Sequence, residues 1–128
     1  MAIVQQLSVF LENKPGVLAR LCQSLADEKI NILGMSVSDT VDHAVVRLIL
    51  SDADKARHLL ESHGVLVVET DVVALMLPDR PGELATIAGK LAKAKINIEY
   101  AYGTAKDGEN MLIVRVSDLK KARKVLKV

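Results

Sequence analysis

Residues 13–32 read NKPGVLARLCQSLADEKINI, and residues 79–98 read DRPGELATIAGKLAKAKINI. Pro15 falls on Pro81, Gly16 on Gly82, and Ile30-Asn31-Ile32 on Ile96-Asn97-Ile98, at one constant offset. The match runs on without a gap, since Ser51-Asp52 falls on Ser117-Asp118 and Lys55-Ala56-Arg57 on Lys121-Ala122-Arg123. One unit is therefore written twice, and a repeat of this kind governs the whole fold. In a chain of 128 residues it predicts two units, residues 1–70 and 71–128. Each is near the lower size limit for independent stability, so the two are expected to share a buried interface.

Half of the residues are hydrophobic, enough to build cores in water, yet no apolar run approaches the ~20 residues that span a bilayer. The N-terminus, MAIVQQLSVFLENK, lacks the basic start and apolar run of a signal peptide, so a soluble cytoplasmic protein is the expectation. A net charge of +1 gives no electrostatic case for nucleic acid or an acidic membrane. The aromatic residues are Phe10, Tyr100 and Tyr102, a poor supply of stacking surfaces. Cys22 is the only cysteine, which excludes an intrachain disulfide and a multi-cysteine metal cage.

Working outward from the repeat, Gln6 to Leu11 alternates as a strand and Pro15-Gly16 ends it. Val17, Leu18, Leu21, Cys22 and Leu25 then make one apolar stripe at helical spacing, fading near Lys29. Ile30 to Val37 and Ala44 to Leu50 read as strands around a polar turn at Asp39 to Asp42. Asp52 is placed to cap a second helix, Gly64 suits its end, and Val65 to Val68 reads as a fourth strand. The order is β-α-β-β-α-β, the ferredoxin-like arrangement, an α+β fold. In the second unit Val72 to Leu77 is the first strand and Leu84, Ile87, Ala88 and Leu91 line a helix. Asn97 to Tyr102 and Met111 to Val116 form a hairpin turning at Asp107-Gly108, and Ser117 to Val128 is a helix. The second unit thus lacks a fourth strand of its own, and its sheet edge is expected to be open or completed by another segment or chain. Both faces of the strands Ile30–Val37 and Ala44–Leu50 look apolar, with Ile30 and Ile32 on one side of the first and Leu33, Met35 and Val37 on the other, which calls for a second layer.

The recurring turn has a structural and a ligand-binding reading. Pro is tolerated in a first helical turn, Gly permits a sharp bend, and Asn13 or Asp79 is placed to cap free N–H groups. The same free N–H groups, at the positive end of a helix, also suit a carboxylate, with Lys14 or Arg80 beside them. Asn31 and Asn97, set within Ile-Asn-Ile, either bond a loop or hold the polar end of a ligand.

These stretches resemble the signature of ACT domains, small regulatory modules of amino-acid metabolism, and the resemblance covers nearly the whole chain as two units in tandem. It implies an amino acid or similar metabolite bound where ACT units pair, with the turn of one unit facing the start of the second strand of the other. Carried over, one site is Asn13, Lys14, Pro15, Gly16, Val17 and Leu18, and the other is Asp79, Arg80, Pro81, Gly82, Glu83 and Leu84. Asn31 and Ile32, or Asn97 and Ile98, lie opposite. Asp79 and Glu83 would repel a ligand carboxylate and welcome an ammonium group, so the first turn is favoured. The family's units usually accompany a catalytic domain. None is expected here, so a free-standing tandem is expected to act in trans, as a homo-oligomer, on a target enzyme of amino-acid metabolism. The alternative is an assembly module with the fold and no ligand.

No enzyme, cofactor or metal is expected. His58 and His63 stand five apart on a helix, which does not place them on one face, and His43 borders a turn. Cys22 continues the apolar stripe and reads as an inert core thiol. Gly82 and Gly89-Lys90 are too far apart for a phosphate loop. Lys120, Lys121, Arg123, Lys124 and Lys127 read as a solvated helix face. AVVRLIL and MLIVRV carry no aromatic residue for RNA stacking.

Overall fold

Leu7, Val9 and Leu11 alternate with Gln6, Ser8 and Phe10, so the first segment has two unlike faces. In the computed structural model, which describes residues 2–39 and 43–128, it forms β1, Ala2–Glu12. The elements that follow are α1 (Val17–Asp27), β2 (Ile32–Asp39), β3 (His43–Leu50), α2 (Ala53–Ser62), β4 (Val67–Pro78), α3 (Glu83–Lys93), β5 (Ile98–Lys106), β6 (Glu109–Val116) and α4 (Leu119–Leu126). The expected turn at Asp39–Asp42 falls on residues 40–42, outside the described residues.

The chain divides into two compact units, one of Gln5–Thr70, the other of Asp71–Val128 with the N-terminal residues up to Val4. In the first, β1 and β2 both pair antiparallel with β3, and β4 flanks β1, giving the order β2-β3-β1-β4. The Phe10 N–H donates to the Leu66 carbonyl at 3.3 Å across that last pair. Leu7, Val9 and Leu11 of β1 meet Val46, Leu48 and Leu50 of β3 under Leu21 and Leu25 of α1 and Ala56 and Leu60 of α2. Each large side chain so buried contributes about 1.5–3 kcal/mol.

The second unit repeats the plan. Val73, Leu75 and Leu77 of β4 and Leu112, Val114 and Val116 of β6 are covered by Ile87, Leu91, Ala122 and Leu126. Its order is β1-β4-β6-β5. The start of β1 flanks β4 in this unit, and its Ile3 packs against this core. Another segment of the same chain thus closes the edge beside β4. The segments expected as two strands, Val65–Val68 and Val72–Leu77, are one unbroken strand, β4, because Glu69-Thr70-Asp71 contains neither Gly nor Pro to interrupt pairing.

Register corrects the reading of β2. A bulge between Ile32 and Gly34 leaves Leu33 unpaired, so Ile32, Met35 and Val37 share the face of Leu50, Leu48 and Val46. Glycine and small polar residues, Gly34, Ser36 and Ser38, occupy the opposite face of this strand. The second unit has a matching bulge between Ile98 and Tyr100, which puts Tyr100 and Tyr102 on one face with Arg115 and Ile113.

Helix ends follow their local chemistry. Asp52 and Asp118 accept from the N–H groups of Lys55 and Lys121 at 3.1 and 3.0 Å, and shorten the last helix to start at Leu119. Gly64 ends α2 in the left-handed region. At the ends of α1 and α3 that conformation falls instead on Lys29 (φ 58°) and Lys95 (φ 61°). Asp107 (φ 53°) and Gly108 (φ 81°) make the tight turn between β5 and β6.

Candidate functional site

In each unit a strand stops, Pro-Gly follows, and a helix begins. Gly16 has φ 88° and Gly82 φ 92°, and each is the residue that caps its helix. This left-handed geometry explains why glycine recurs there, because a Cβ would strain the backbone. Asn13 and Asp79 do not cap: neither helix start receives a side-chain hydrogen bond. Pro15 and Pro81 lie in the turns just before the helices and not in their first turns. Gly16 and Gly82 carbonyls accept from the N–H groups of Arg20 and Thr86, both at 3.0 Å. Among the described residues the N–H groups of Leu18, Ala19, Leu84 and Ala85 are left without protein acceptors. These are the donors a carboxylate would use.

The cations beside the turns are already engaged. Lys14 Nζ lies 2.8 Å from Glu12, both groups exposed, and its hydrogen bond and charge hold the Glu12 carboxyl below its ordinary pKa. Arg80 pairs with Glu83, which belongs to the first turn of α3. The first turn of α1 carries no acid, so the two turns differ electrostatically. Val17 and Leu18 pack against the core, whereas Leu84 is exposed.

Asn31 and Asn97 both have exposed side chains, so neither amide carries a burial cost. Their main chains are clamped reciprocally. The Asn31 N–H donates to Ser51 Oγ at 2.8 Å while the Ser51 N–H donates to the Asn31 carbonyl at 3.0 Å. Asn97 and Ser117 repeat this at 2.9 and 2.9 Å. Ile32 and Ile98, next in sequence, pack on the cores of their units. The clamp aims each amide outward from a fixed strand start. Ser51 and Ser117 were not recognised as part of it from sequence, although both recur in register with the repeat.

Within the first unit the turn and Asn31 do not meet. Glu12 pairs with His43 at one end of β3, and Ile32 pairs with Leu50 at the other. The seven steps of β3 from His43 to Leu50 separate them by about 23 Å at about 3.3 Å per residue. The second unit has the same arrangement, with Pro78 opposite Glu109 and Ile98 opposite Val116. A single small ligand cannot touch both features of one unit.

Two further residues stand out. The Arg20 guanidinium is the nearest group to the space a Gly16 Cβ would fill, at 3.8 Å. Asn110 Oδ1 is buried without a hydrogen-bond partner among the described residues, on the strand position opposite Leu77. Arg20 stands one helical turn after Gly16, a spacing legible in sequence, whereas nothing marks Asn110. Cys22 is half-buried and does not belong to the core cluster. Among the described residues no cluster of three His, Cys, Asp or Glu side chains is arranged to hold a metal ion. No helix of the described residues is long and apolar enough to cross a membrane.

A family model described as an ACT domain pair matches residues 1–128. A solved protein from Bacteroides thetaiotaomicron is 38% identical, with a TM-score of 0.94 over 98% of this chain and 87% of that one. The regulatory subunit of aspartate kinase from Thermus thermophilus is similar in fold, with a TM-score of 0.72 at 15% identity over 99% of this chain and 96% of that one. The corresponding subunit from Thermus flavus gives 0.67 at 17% identity, covering 98% and 94%. No functionally curated protein matches the sequence.

Proposed function

The chain belongs to the ACT domain pair family, and from that premise we propose that it is a non-catalytic regulatory protein. It binds an amino acid or similar small metabolite where units of two copies of the chain pair. The observation that carries this reading is the separation of the turn from Asn31 within one unit. Because β1 and β2 both run antiparallel to β3, they run the same way, and the turn after β1 lies at the far end of the sheet from the start of β2. Pairing two β2 edges antiparallel across a two-fold axis brings Asn31 of a second copy to the end where the first copy's turn lies. The edge has the surface for it: Leu33, Met35 and Val37 are 52%, 44% and 48% exposed.

In this arrangement the free N–H groups of Leu18 and Ala19 receive the ligand carboxylate, and Asn31 of the second copy receives its remaining polar group. The turn Asn13–Leu18 is the stronger carboxylate site. Asp79 and Glu83 bias the turn Asp79–Leu84, with Asn97 and Ile98 opposite it, toward an ammonium group. Ligand that binds only the paired form stabilises it, and a target enzyme of amino-acid metabolism reads that form. The protein acts in trans, in the cytoplasm. The similarity of fold to regulatory subunits of aspartate kinase supports a regulatory role.

Melting temperatures measured against each of the twenty amino acids at millimolar concentration test the reading. One or a few amino acids should raise the transition, and Asn31→Ala, at an exposed side chain, should remove the rise without lowering the unliganded transition. A flat panel from a chain that still dimerises would replace this reading with the assembly module.

A further inference from the structure

A cleft in the first unit starts at Val17, the residue of the Asn13–Leu18 turn that packs on the core, and runs from there along α1. It is a half-open cleft between the start of α1 and the end of α2, with a volume of about 250 Å³. That equals about eight molecules of liquid water, the size of a six-carbon acid. Its floor is aliphatic: Leu11, Leu21 and Leu60, which are 9%, 5% and 2% exposed. Its rim is polar: Arg20 and Ser24, one helical turn apart on α1, and His63, the C-terminal cap of α2.

Among the described residues none of these three side chains makes a hydrogen bond or ion pair with the protein. Glu12 feels the charge of Arg20, but its own hydrogen bond goes to Lys14. No carboxylate lines the cleft. An apolar pocket with a few polar groups at its rim is the general form of a small-molecule site. The repeat supplies an internal contrast. In the second unit Thr86 stands in place of Arg20, and its hydroxyl donates to the Gly82 carbonyl at 3.0 Å. Lys90 stands in place of Ser24. The guanidinium is therefore specific to the first unit.

We propose that this cleft binds a small aliphatic carboxylate, with Arg20 and the Ser24 hydroxyl on the carboxylate, His63 closing the rim, and Leu11, Leu21 and Leu60 around the hydrocarbon. The class is a simple carboxylate and not an amino acid. An α-ammonium group would sit against the Arg20 charge with no acid in the lining to receive it.

The test titrates full-length protein with 4-methylpentanoate, with L-leucine and with neutral 4-methylpentanamide, following methyl resonances by NMR. The acid should shift the methyls of Leu11, Leu60 and Val65 and should bind more tightly than leucine, with the amide weakest. Arg20→Gln, an exposed change, should weaken the acid about tenfold, the loss of one charge-assisted hydrogen bond. Ser24→Trp, which fills the mouth away from the Gly16 turn, should abolish binding. Equal binding of acid and amide, tighter binding of leucine, or an acid response unchanged in either variant would overturn the proposal. Shifts confined to residues 13–18 and 31–37 would also overturn it, because they would assign the acid to the β2 edge. Those outcomes leave the amino-acid reading to its own melting test.

Discussion

At the scale of single residues, backbone angle decides more here than side-chain contact. A Cβ on Gly82 would meet nothing within 4 Å, and on Gly16 only the mobile end of Arg20 at 3.8 Å. Crowding is therefore not what keeps these glycines, and the left-handed angle is. Gly82→Ala should cost about 1 kcal/mol in chemical denaturation, and Gly82→Asn less, since asparagine tolerates that region. Equal costs for both would implicate the side chain instead. Lys29 and Lys95 are the converse case, lysines in an angle that suits glycine. Lys95→Gly should stabilise the protein by about 0.5–1 kcal/mol, with Lys95→Ala giving no gain. Glu12 offers a test by titration. Because its pKa is lowered, first by the hydrogen bond from Lys14, the pairing is in place above the ordinary carboxylate range and fades as pH falls through the lowered value. Lys14→Met should move the NMR titration midpoint of Glu12 upward, and an unmoved midpoint would remove Lys14 as the cause.

At the scale of elements, the hairpin of β5 and β6 depends on a close approach at Gly103. A Cβ on Gly103 would lie 2.2 Å from the Met111 carbonyl oxygen and 2.8 Å from Leu112 Cδ2, so the strands can approach only without one. Gly103→Ala should destabilise by about 1–3 kcal/mol through forced separation of the pair, measured by chemical denaturation, with amide exchange accelerated along β5. Most elements were legible in the sequence because their signals are local: the glycine turns, Asp52 as a cap, and Asp107-Gly108 between two apolar runs. The bulges at Leu33 and Glu99 were not. Alternation assigned Leu33, Met35 and Val37 to one face, and only pairing against Leu48 and Val46 reveals that the register slips after Ile32.

At the scale of the whole molecule, the start of β1 connects the sequence to the second unit. Truncating Ile3, which packs against the second unit's core, should act on residues 71–128 more than on 5–70. Ile3→Ala should cost about 1–2 kcal/mol at this partly buried position, and site-resolved hydrogen exchange should show the faster amides in β4, β5 and β6. Faster exchange confined to β2 and β3 would contradict that assignment. The sequence by itself determined the duplication, the α+β order of each unit, the turn residues and the family resemblance. All of these depend on spacing along one segment, which a linear chain displays. Only the tertiary structure decided that the start of β1 flanks β4 in the second unit, that Asn13 and Asp79 do not cap, and that Asn31 stands at the opposite end of its sheet from the turn. Those outcomes depend on which distant segments pair and in what register. Hydrogen bonding and burial set that between residues far apart in the chain, where sequence periodicity carries no record of the choice.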